Sequence, residues 1–523
     1  MRDIFCSYYT NSKDITEYMV SKLGVVDNDI VLEPSAGEGI FIDEVLETSK
    51  TVQIDALDIN SDAISILKKK YEDNTAVVRE TDTLLDEQLD IYSMSQLWLK
   101  QTDTLFDKQL DMFSSLGGHY TKVIGNPPYG AWQDYEKRDV LKKKFAGHYV
   151  KETYSLFLLR CISVLRMHGR LSFIIPDTYL FLNMHSRLRE LIISNTKIDE
   201  ILIFPSRFFP GVSFGYSNLS IITLERCDKK TALEHTFRVI QGFNSSSEFA
   251  TLLGDEKEYP ENLQIFNFKQ SDILENEQCR VILAESKTAT LLSQSEQKLG
   301  DVADVVTGFY TGDNLRFIRA ASKYVKGAKN YDVVDPTIVT HCTSLYGIPD
   351  IEEGYVPYIK SAAKRRYIRQ SDEWFVRWDK PTIEFYKKNK KSRFQNSSFY
   401  FKTGIGIPMV KSNTIRAFLM ADHVFDQSIV GIFPKDFSKL YYLLALMNSD
   451  TINDLVHAIN PTANNSSNYI KQLPYIEPMS DVLEEITGMV KEVIVFESNA
   501  EYENADRLHN EINAMISLIY SNN

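Results

Sequence analysis

The stretch Val123-Ile124-Gly125-Asn126-Pro127-Pro128-Tyr129-Gly130 concentrates residue types that can do chemistry. An apolar strand runs into Asn-Pro-Pro-Tyr. Two prolines fix φ and remove two backbone donors, so the segment is a rigid turn rather than helix or strand interior. It leaves an amide side chain and undonated carbonyls facing outward beside an aromatic ring. That set suits a planar amine. The Asn126 side-chain oxygen and the Pro127 carbonyl accept both hydrogens of an exocyclic NH2, and Tyr129 stacks on the ring. Holding both hydrogens keeps the nitrogen lone pair out of ring conjugation and makes it a nucleophile. The plainer reading, a stiff strand-to-loop turn, is outweighed by the strand before it and a glycine loop upstream.

The elements that must position this turn precede it. Ile30-Val31-Leu32-Glu33-Pro34-Ser35-Ala36-Gly37-Glu38-Gly39 reads as a buried strand, a loop of small residues and the start of a helix through Leu46. Its glycines let backbone approach a ligand, and the helix start offers free N–H groups. Only one Gly-x-Gly is present, so a dinucleotide fingerprint is not met. Residues 53–60 form a second strand ending in an acid. Asp58 lies 25 positions after Glu33, about where a strand-end carboxylate accepts both ribose hydroxyls in doubly wound folds. Its rival role is to cap a helix over 61–70. Ile59 would flank an adenine. Residues 75–80 form a third strand, followed by Thr81-Asp82. The ten residues 81–90 then recur at 102–111, a period of 21. Two copies are too few for a solenoid and read as a local tandem duplication.

The pattern resembles the amino-methyltransferases that use S-adenosylmethionine. In them Asn-Pro-Pro-Tyr at this place marks methylation of adenine N6 in DNA or, in some relatives, of a glutamine amide. The resemblance implies a cofactor loop made of Glu33, Pro34, Ser35, Ala36 and Gly37, with Asp58 and Ile59 on the cofactor's ribose and adenine. It also implies that Tyr9 and Thr10, ahead of a helix over 15–23 capped by Gly24, meet the cofactor's methionine part. An Asp after the third strand would accept from the cofactor's adenine amine. Asp82 is preferred because it follows that strand directly, and Asp103 in the second copy stays open. Phe209, before Pro210, would stack on the substrate base opposite Tyr129, with Phe214 as second choice and core packing as the rival role of either.

Lys137, Arg138, Lys142, Lys143 and Lys144 follow the turn, as a solvated helix face or a lid that grips phosphates. An apolar helix over 154–165 ended by Gly169, a strand over 170–176, a helix over 177–194 and strands over 198–204 and 219–224 complete a single doubly wound sheet. Residues 240–295 read as the end of that domain plus a connector. From residue 299, Gly, aromatic and β-branched residues alternate, interleaved with Lys360, Lys364, Arg365, Arg366, Arg369, Arg377 and a run from Lys387 to Arg393. Such interleaving suits a groove that holds phosphates and reads base edges. The stretch resembles the target-recognition domain of the gamma, Taq-like class of adenine methyltransferases. Leu446-Met447-Asn448-Ser449, Asn460-Pro461-Thr462 and Leu473-Pro474 resemble that domain's closing pattern.

The expected fold is therefore α/β: a doubly wound, Rossmann-like S-adenosylmethionine methyltransferase domain over 1–290, then a mixed α+β DNA target-recognition domain over 295–475 and a helical segment over 476–523. The net charge of −13 argues against coating nucleic acid by bulk electrostatics. Residues 301–400 nevertheless carry 17 Lys and Arg against 12 Asp and Glu, which leaves room for a local basic groove. The five cysteines are scattered and never in Cys-x-x-Cys spacing, and with the absence of a signal-peptide pattern or a membrane-length apolar run they indicate a reduced cytoplasmic protein without a metal site. The expected function is site-specific methylation of adenine N6 on a flipped-out base in double-stranded DNA, for restriction-modification or phage defence, with S-adenosylmethionine as cofactor and restriction or defence-complex proteins as possible partners. Alternatives are a methyltransferase-like DNA-recognition subunit that is inactive without partners, a protein-glutamine methyltransferase, and a cytosine-N4 methyltransferase.

Overall fold

The computed structural model describes residues 12–72, 76–93, 118–130, 135–209, 218–254, 259–284, 288, 290–292, 295–410, 414–459 and 465–521. Tyr9, Thr10, Asp103, Phe214 and the second copy of the repeat lie outside these. The chain divides into two compact units, 1–282 and 283–523.

The first unit is built on one nine-stranded sheet. Its strands are β1 (Ile30–Glu33), β2 (Gln53–Asp58), β3 (Ala76–Glu80), β4 (Tyr120–Gly125), β5 (Leu165–Pro176), β6 (Thr196–Pro205), β7 (Asn218–Arg226), β8 (Thr236–Gln241) and β9 (Gln264–Lys269). Their order is β3-β2-β1-β4-β5-β7-β6-β8-β9. β3, β2, β1, β4 and β5 are mutually parallel, while β7 runs antiparallel between β5 and β6. All five parallel strands therefore end on the same edge. β1 has β2 on one side and β4 on the other, so the strand order reverses there, where open α/β sheets leave a ligand crevice.

Helix α1 (Lys13–Leu23) buries Ile15, Tyr18, Met19, Val20 and Leu23, an apolar stripe at helical spacing. Gly24 ends it at φ +64° and sends its N–H to the carbonyls of Val20 and Ser21. Helices α2 (Ile40–Thr48) and α3 (Ser61–Lys70) follow β1 and β2, and α4 (Glu87–Tyr92) follows β3. After β4 come α5 (Tyr135–Lys144), α6 (Thr153–Val164) and, beyond β5, α7 (Ser186–Asn195).

Three stretches differ from the sequence reading. Gly169 does not end α6; it sits inside β5, where an added Cβ would lie 2.9 Å from the Arg166 carbonyl oxygen and 3.1 Å from that of Tyr120. The helix expected from 177 is broken into short turns over Asp177–Leu180 and Asn183–His185 before α7. There the buried Arg189 donates to the carbonyls of Tyr179 (2.7 Å) and Leu182 (2.8 Å), satisfying acceptors that a continuous helix would have paired itself. Residues 240–295, read as the end of the domain plus a connector, hold a strand not expected there: β9 pairs with β8 and extends the sheet by one edge strand.

The second unit holds two four-stranded sheets. One orders β10 (Ala303–Thr307), β17 (Ile429–Pro434), β14 (Gly404–Pro408) and β15 (Phe418–Met420). The other orders β11 (Ile318–Ala320), β13 (Trp374–Arg377), β12 (Tyr355–Ile359) and β16 (Val424–Phe425). An aromatic core that includes Phe309, Tyr358, Trp378, Tyr386 and Tyr400 lies among them. Helices α8 (Lys380–Lys388), α9 (Leu440–Met447) and α10 (Asp450–Ile459) follow within the unit, and α11 (Ser480–Ser498) and α12 (Tyr502–Ser521) close it. Among the described residues no helix is long and apolar enough to cross a membrane.

Candidate active site

Four strand-end residues singled out in the sequence share one edge of the sheet: Glu33 at the end of β1, Asp58 at the end of β2, Asp82 just past β3, and Asn126 just past β4. Hydrogen bonds tie their loops together. Gly37 donates its N–H to Asp58 Oδ2 (2.8 Å) and Asn60 donates to Asp58 Oδ1 (2.8 Å). Thr81 N–H reaches the Asp58 carbonyl (2.8 Å), and the Thr83 hydroxyl donates to the Pro34 carbonyl (2.6 Å). The Ser35 hydroxyl donates to the Asn126 carbonyl (3.2 Å). The glycine loop, the two acids and the Asn-Pro-Pro-Tyr turn are thus one bonded surface.

The loop's backbone explains its small residues. Gly37 and Gly39 have φ of +51° and +81°, a region that costs other residues strain. A Cβ on Gly39 would lie 2.6 Å from the Tyr71 hydroxyl. Ala36 is buried, and its N–H donates to the Leu57 carbonyl (2.8 Å). Ile59 is 43% exposed at the end of β2, an apolar face left uncovered beside Asp58.

At the turn, Asn126 and Pro128 are half-buried and Pro127 and Tyr129 are buried. Tyr129 donates its hydroxyl to Asn126 Oδ1 (2.6 Å), which fixes the amide. Its carbonyl accepts from Thr153 N–H (3.0 Å), pinning the turn to the start of α6. Tyr129 itself has no exposed surface. Phe209 is likewise buried, its ring 6.3 Å from and nearly parallel to that of Phe204.

Two features escaped the sequence reading. Asp82 Oδ1 accepts from Leu84 N–H (3.1 Å), and its Oδ2 pairs with Lys137 of α5 (2.7 Å). Lys144 of the same helix pairs with Asp90 (2.8 Å). The basic helix is therefore tied to the segment after β3. Asp177, directly after β5, is 5% exposed, and burial pushes its carboxyl up to about 7 despite a hydrogen bond from Asn218 Nδ2 (3.2 Å). Its signal was available: it is another carboxylate directly following a parallel strand of the same sheet.

The edge fits S-adenosylmethionine, a cation with a ribose and an adenine. Glu33 is 1% exposed and its Oε2 has no hydrogen-bond partner among the described residues. Burial, with Asp58 and Asp43 nearby, pushes its carboxyl well above the usual range. A buried, unsatisfied acid beside a glycine loop is a place for a ligand's positive charge. Each Asp58 oxygen keeps a lone pair for a hydroxyl beyond its backbone bond.

The basic residues of the second unit divide. Arg365 Nε donates to both Glu497 oxygens (2.8 Å each), and Arg377 Nε binds Asp379 (2.5 Å). Arg369 Nη1 donates to the Ser361 carbonyl (2.7 Å), and Lys360 lies 5.1 Å over the Trp374 ring. These four, read from sequence as phosphate holders, engage partners within their own unit.

The sequence profile of the Eco57I restriction-modification methylase family matches residues 48–209, a span from just before β2 through Phe209 that contains the Asn126–Tyr129 turn. The chain is 24% identical over 237 residues to the type II methyltransferase M.HincII of Haemophilus influenzae, covering 42% of this chain and 39% of that protein. It is 22% identical over 382 residues to the type II methyltransferase M.AccI of Acinetobacter calcoaceticus, covering 72% and 60%. It thus spans less than two thirds of either relative. Among solved structures, the nuclease-deletion mutant of the Type ISP restriction-modification enzyme LlaGI, in complex with a DNA substrate mimic, superposes with a TM-score of 0.55 at 13% identity, covering 93% of this chain and 46% of that one. The DNA-bound Type ISP enzyme LlaBIII gives 0.51 at 12%, covering 93% and 39%. The fold is thus shared with restriction-modification enzymes across both units, and the matching sequence profile falls on the strands that carry the turn.

Proposed function

We propose that the chain is a site-specific DNA methyltransferase of the gamma, Taq-like class, which moves a methyl group from S-adenosylmethionine to adenine N6 of a base rotated out of double-stranded DNA, in restriction-modification or phage defence. Residues 1–290 act as the doubly wound catalytic domain, 295–475 as the target-recognition domain and 476–523 as its helical close. The observation that carries this reading is the bond from Ser35 of the glycine loop to the Asn126 carbonyl. It joins a cation-accepting cofactor loop to an amine-accepting turn. The names of the matched relatives support the same chemistry.

S-adenosylmethionine supplies a sulfonium methyl group. The chain's own residues do the rest. Glu33 faces its positive charge, Asp58 takes the ribose hydroxyls, Ile59 flanks its adenine, and Asp82 accepts from the adenine amine. Tyr9 and Thr10 close over the methionine part. Asn126 Oδ1 and the Pro127 carbonyl accept the two hydrogens of the target amine, which leaves its lone pair aimed at the methyl group. The Tyr129 hydroxyl on Asn126 Oδ1 orients the amide for that role. Pro128 stiffens the turn. Tyr129 and Phe209 sandwich the base, whose unstacking costs a few kcal/mol. The rate comes from positioning and from bonds aimed at developing charge.

Incubation with plasmid DNA and labelled S-adenosylmethionine, followed by digestion to nucleosides, tests the reading. N6-methyladenine from the wild type and none from Asn126→Ala is the expected result. No methylated nucleoside despite cofactor binding would sink the stand-alone enzyme. A second reading is a DNA-recognition subunit that acts only with a partner. Activity that appears only on adding another subunit would select it.

A further inference from the structure

The second unit contains a polar pocket of about 220 Å³, formed where the loop 360–373 meets α11 and α12. Lys364, Arg366, Tyr367, Arg416, His509 and Asn510 line it, together with the ion cluster of Arg365, Glu497 and Asp506. The charges do not cancel. Both acids are engaged on Arg365: Glu497 through two bonds of 2.8 Å to Nε, and Asp506 through one of 2.6 Å to Nη2. Arg366, Arg416 and Lys364 stand outside that cluster. Arg366 Nε is buried and has no hydrogen-bond partner among the described residues. Arg416 is exposed and donates to the Lys364 carbonyl (3.1 Å). Lys364 reaches Glu373 (3.1 Å) while staying 77% exposed. His509 adds no charge, because burial and the neighbouring Arg366 push its pKa down to about 4.

The backbone beneath these residues is strained. Tyr367 has φ +71°, and the Ile368 N–H donates to the Arg366 carbonyl (2.9 Å). That is a γ-turn of the rare left-handed kind, centred on a bulky residue. It is held from three sides. Tyr367 N–H donates to the Ala417 carbonyl (2.7 Å), Leu419 N–H donates to the Tyr367 carbonyl (2.8 Å), and the Tyr367 hydroxyl bonds His509 Nδ1 (2.8 Å). Strain of this sort persists where the surroundings over-determine it, and it clusters at ligand clamps. Here it fixes Arg365 on the helices and leaves Arg366 beside the pocket with a donor to spare.

We infer that this pocket is a preorganised site for a phosphate group, held by Arg366, Lys364 and Arg416, with Asn510 as a further donor. Arg366 and Arg416 have no acidic partner among the described residues, Lys364 adds a third positive group shared with Glu373, and guanidinium groups match the oxygens of a phosphate. The phosphate is either a backbone phosphodiester of DNA or a free phosphate. The first source rests on the function proposed above; the pocket itself does not.

The test uses the full chain as wild type, Arg366→Gln and Arg416→Gln. Calorimetric titration with inorganic phosphate, at constant ionic strength, reads the pocket directly. Binding by the wild type, weakened roughly tenfold in Arg366→Gln, is expected. The salt dependence of affinity for a short duplex identifies the source. Removing a cation that neutralises one DNA phosphate lowers the slope of log K against log salt by about 0.9, whatever the duplex sequence. A lowered slope in both variants assigns the site to the DNA backbone. An unchanged slope with weakened phosphate binding assigns it to a free phosphate. The inference is overturned if folded Arg366→Gln and Arg416→Gln bind both ligands as the wild type does. Should Arg366→Gln fail to fold, the exposed Arg416→Gln decides alone. A wild type that binds no DNA at all removes the methyltransferase reading, and the phosphate titration still decides the pocket.

Discussion

The sheet edge of the first unit and the basic loop of the second both gather charged and polar side chains, yet they use them differently. At the sheet edge, Glu33, Asp58, Asp82 and Asn126 each sit within two residues of the end of a parallel strand. The pleat and the strand order alone bring them to one line, and short backbone-directed bonds finish the site. In the loop, residues of one chemical type meet different fates. Arg365 is locked to two helix carboxylates, Arg369 binds a carbonyl through Nη1, and Arg366 and Arg369 each keep a buried Nε without a hydrogen-bond partner among the described residues. A site built from strand ends inherits its geometry from the sheet. A site built from a loop owes it to whatever the loop happens to pack against.

That contrast can be broken by substitutions that separate chemistry from stability. The largest effect belongs to the sheet edge. Asn126→Ala should cut methyl transfer by at least a factor of about 10² to 10³, the loss seen on removing one bond aimed at a transition state, with little change in the denaturation midpoint. A variant equally inactive and unfolded would show the turn to be structural. The loop region should do the reverse. Glu497→Ala leaves Arg365 with Asp506 as its one carboxylate and should cost the second unit up to about 3 kcal/mol in urea unfolding, while cofactor binding at the sheet edge stays as in the wild type.

Glu33 sharpens the comparison, because one residue there opposes stability to function. Its folded carboxyl titrates well above the unfolded range through burial. Between the two pKa values the folded state therefore holds the extra proton, and its contribution to stability falls as pH rises. Glu33→Gln should flatten that fall at pH above the unfolded carboxyl range and weaken S-adenosylmethionine binding. A variant less stable than wild type at the alkaline end would contradict this account of the carboxyl. The smallest effect is at Lys137, whose pair with Asp82 is partly exposed. Such pairs are worth up to about 1 kcal/mol. If Asp82 holds the cofactor's adenine, Lys137→Gln should tighten calorimetric cofactor binding by a factor of up to about five. Unchanged affinity would argue that Asp82 takes no part.

Much of the first unit was legible before any coordinates. The stripe of α1, the strands β1 to β4 and the glycine loop depend on local rules: periodicity, positive φ and the stiffness of consecutive prolines. The turn at Asn126 was legible for the same reason, since Pro127 and Pro128 impose their conformation without help from the rest of the chain. The helix expected over 177–194 was not, because its interruption depends on Arg189 capping the carbonyls of Tyr179 and Leu182. Nor was β9, whose residues are strand-like only beside β8.

By itself, then, the sequence determined which residues stand at strand ends and which backbone shapes they can adopt, because those follow from neighbours a few positions away. The tertiary structure decided which charges are spent and which remain. The Ser35 hydroxyl on the Asn126 carbonyl, Lys137 on Asp82, and Arg365 on a glutamate 132 positions distant are choices among many possible partners. Only the packed chain makes them, because a hydrogen bond or ion pair is set by distance in space, and local sequence carries little record of it.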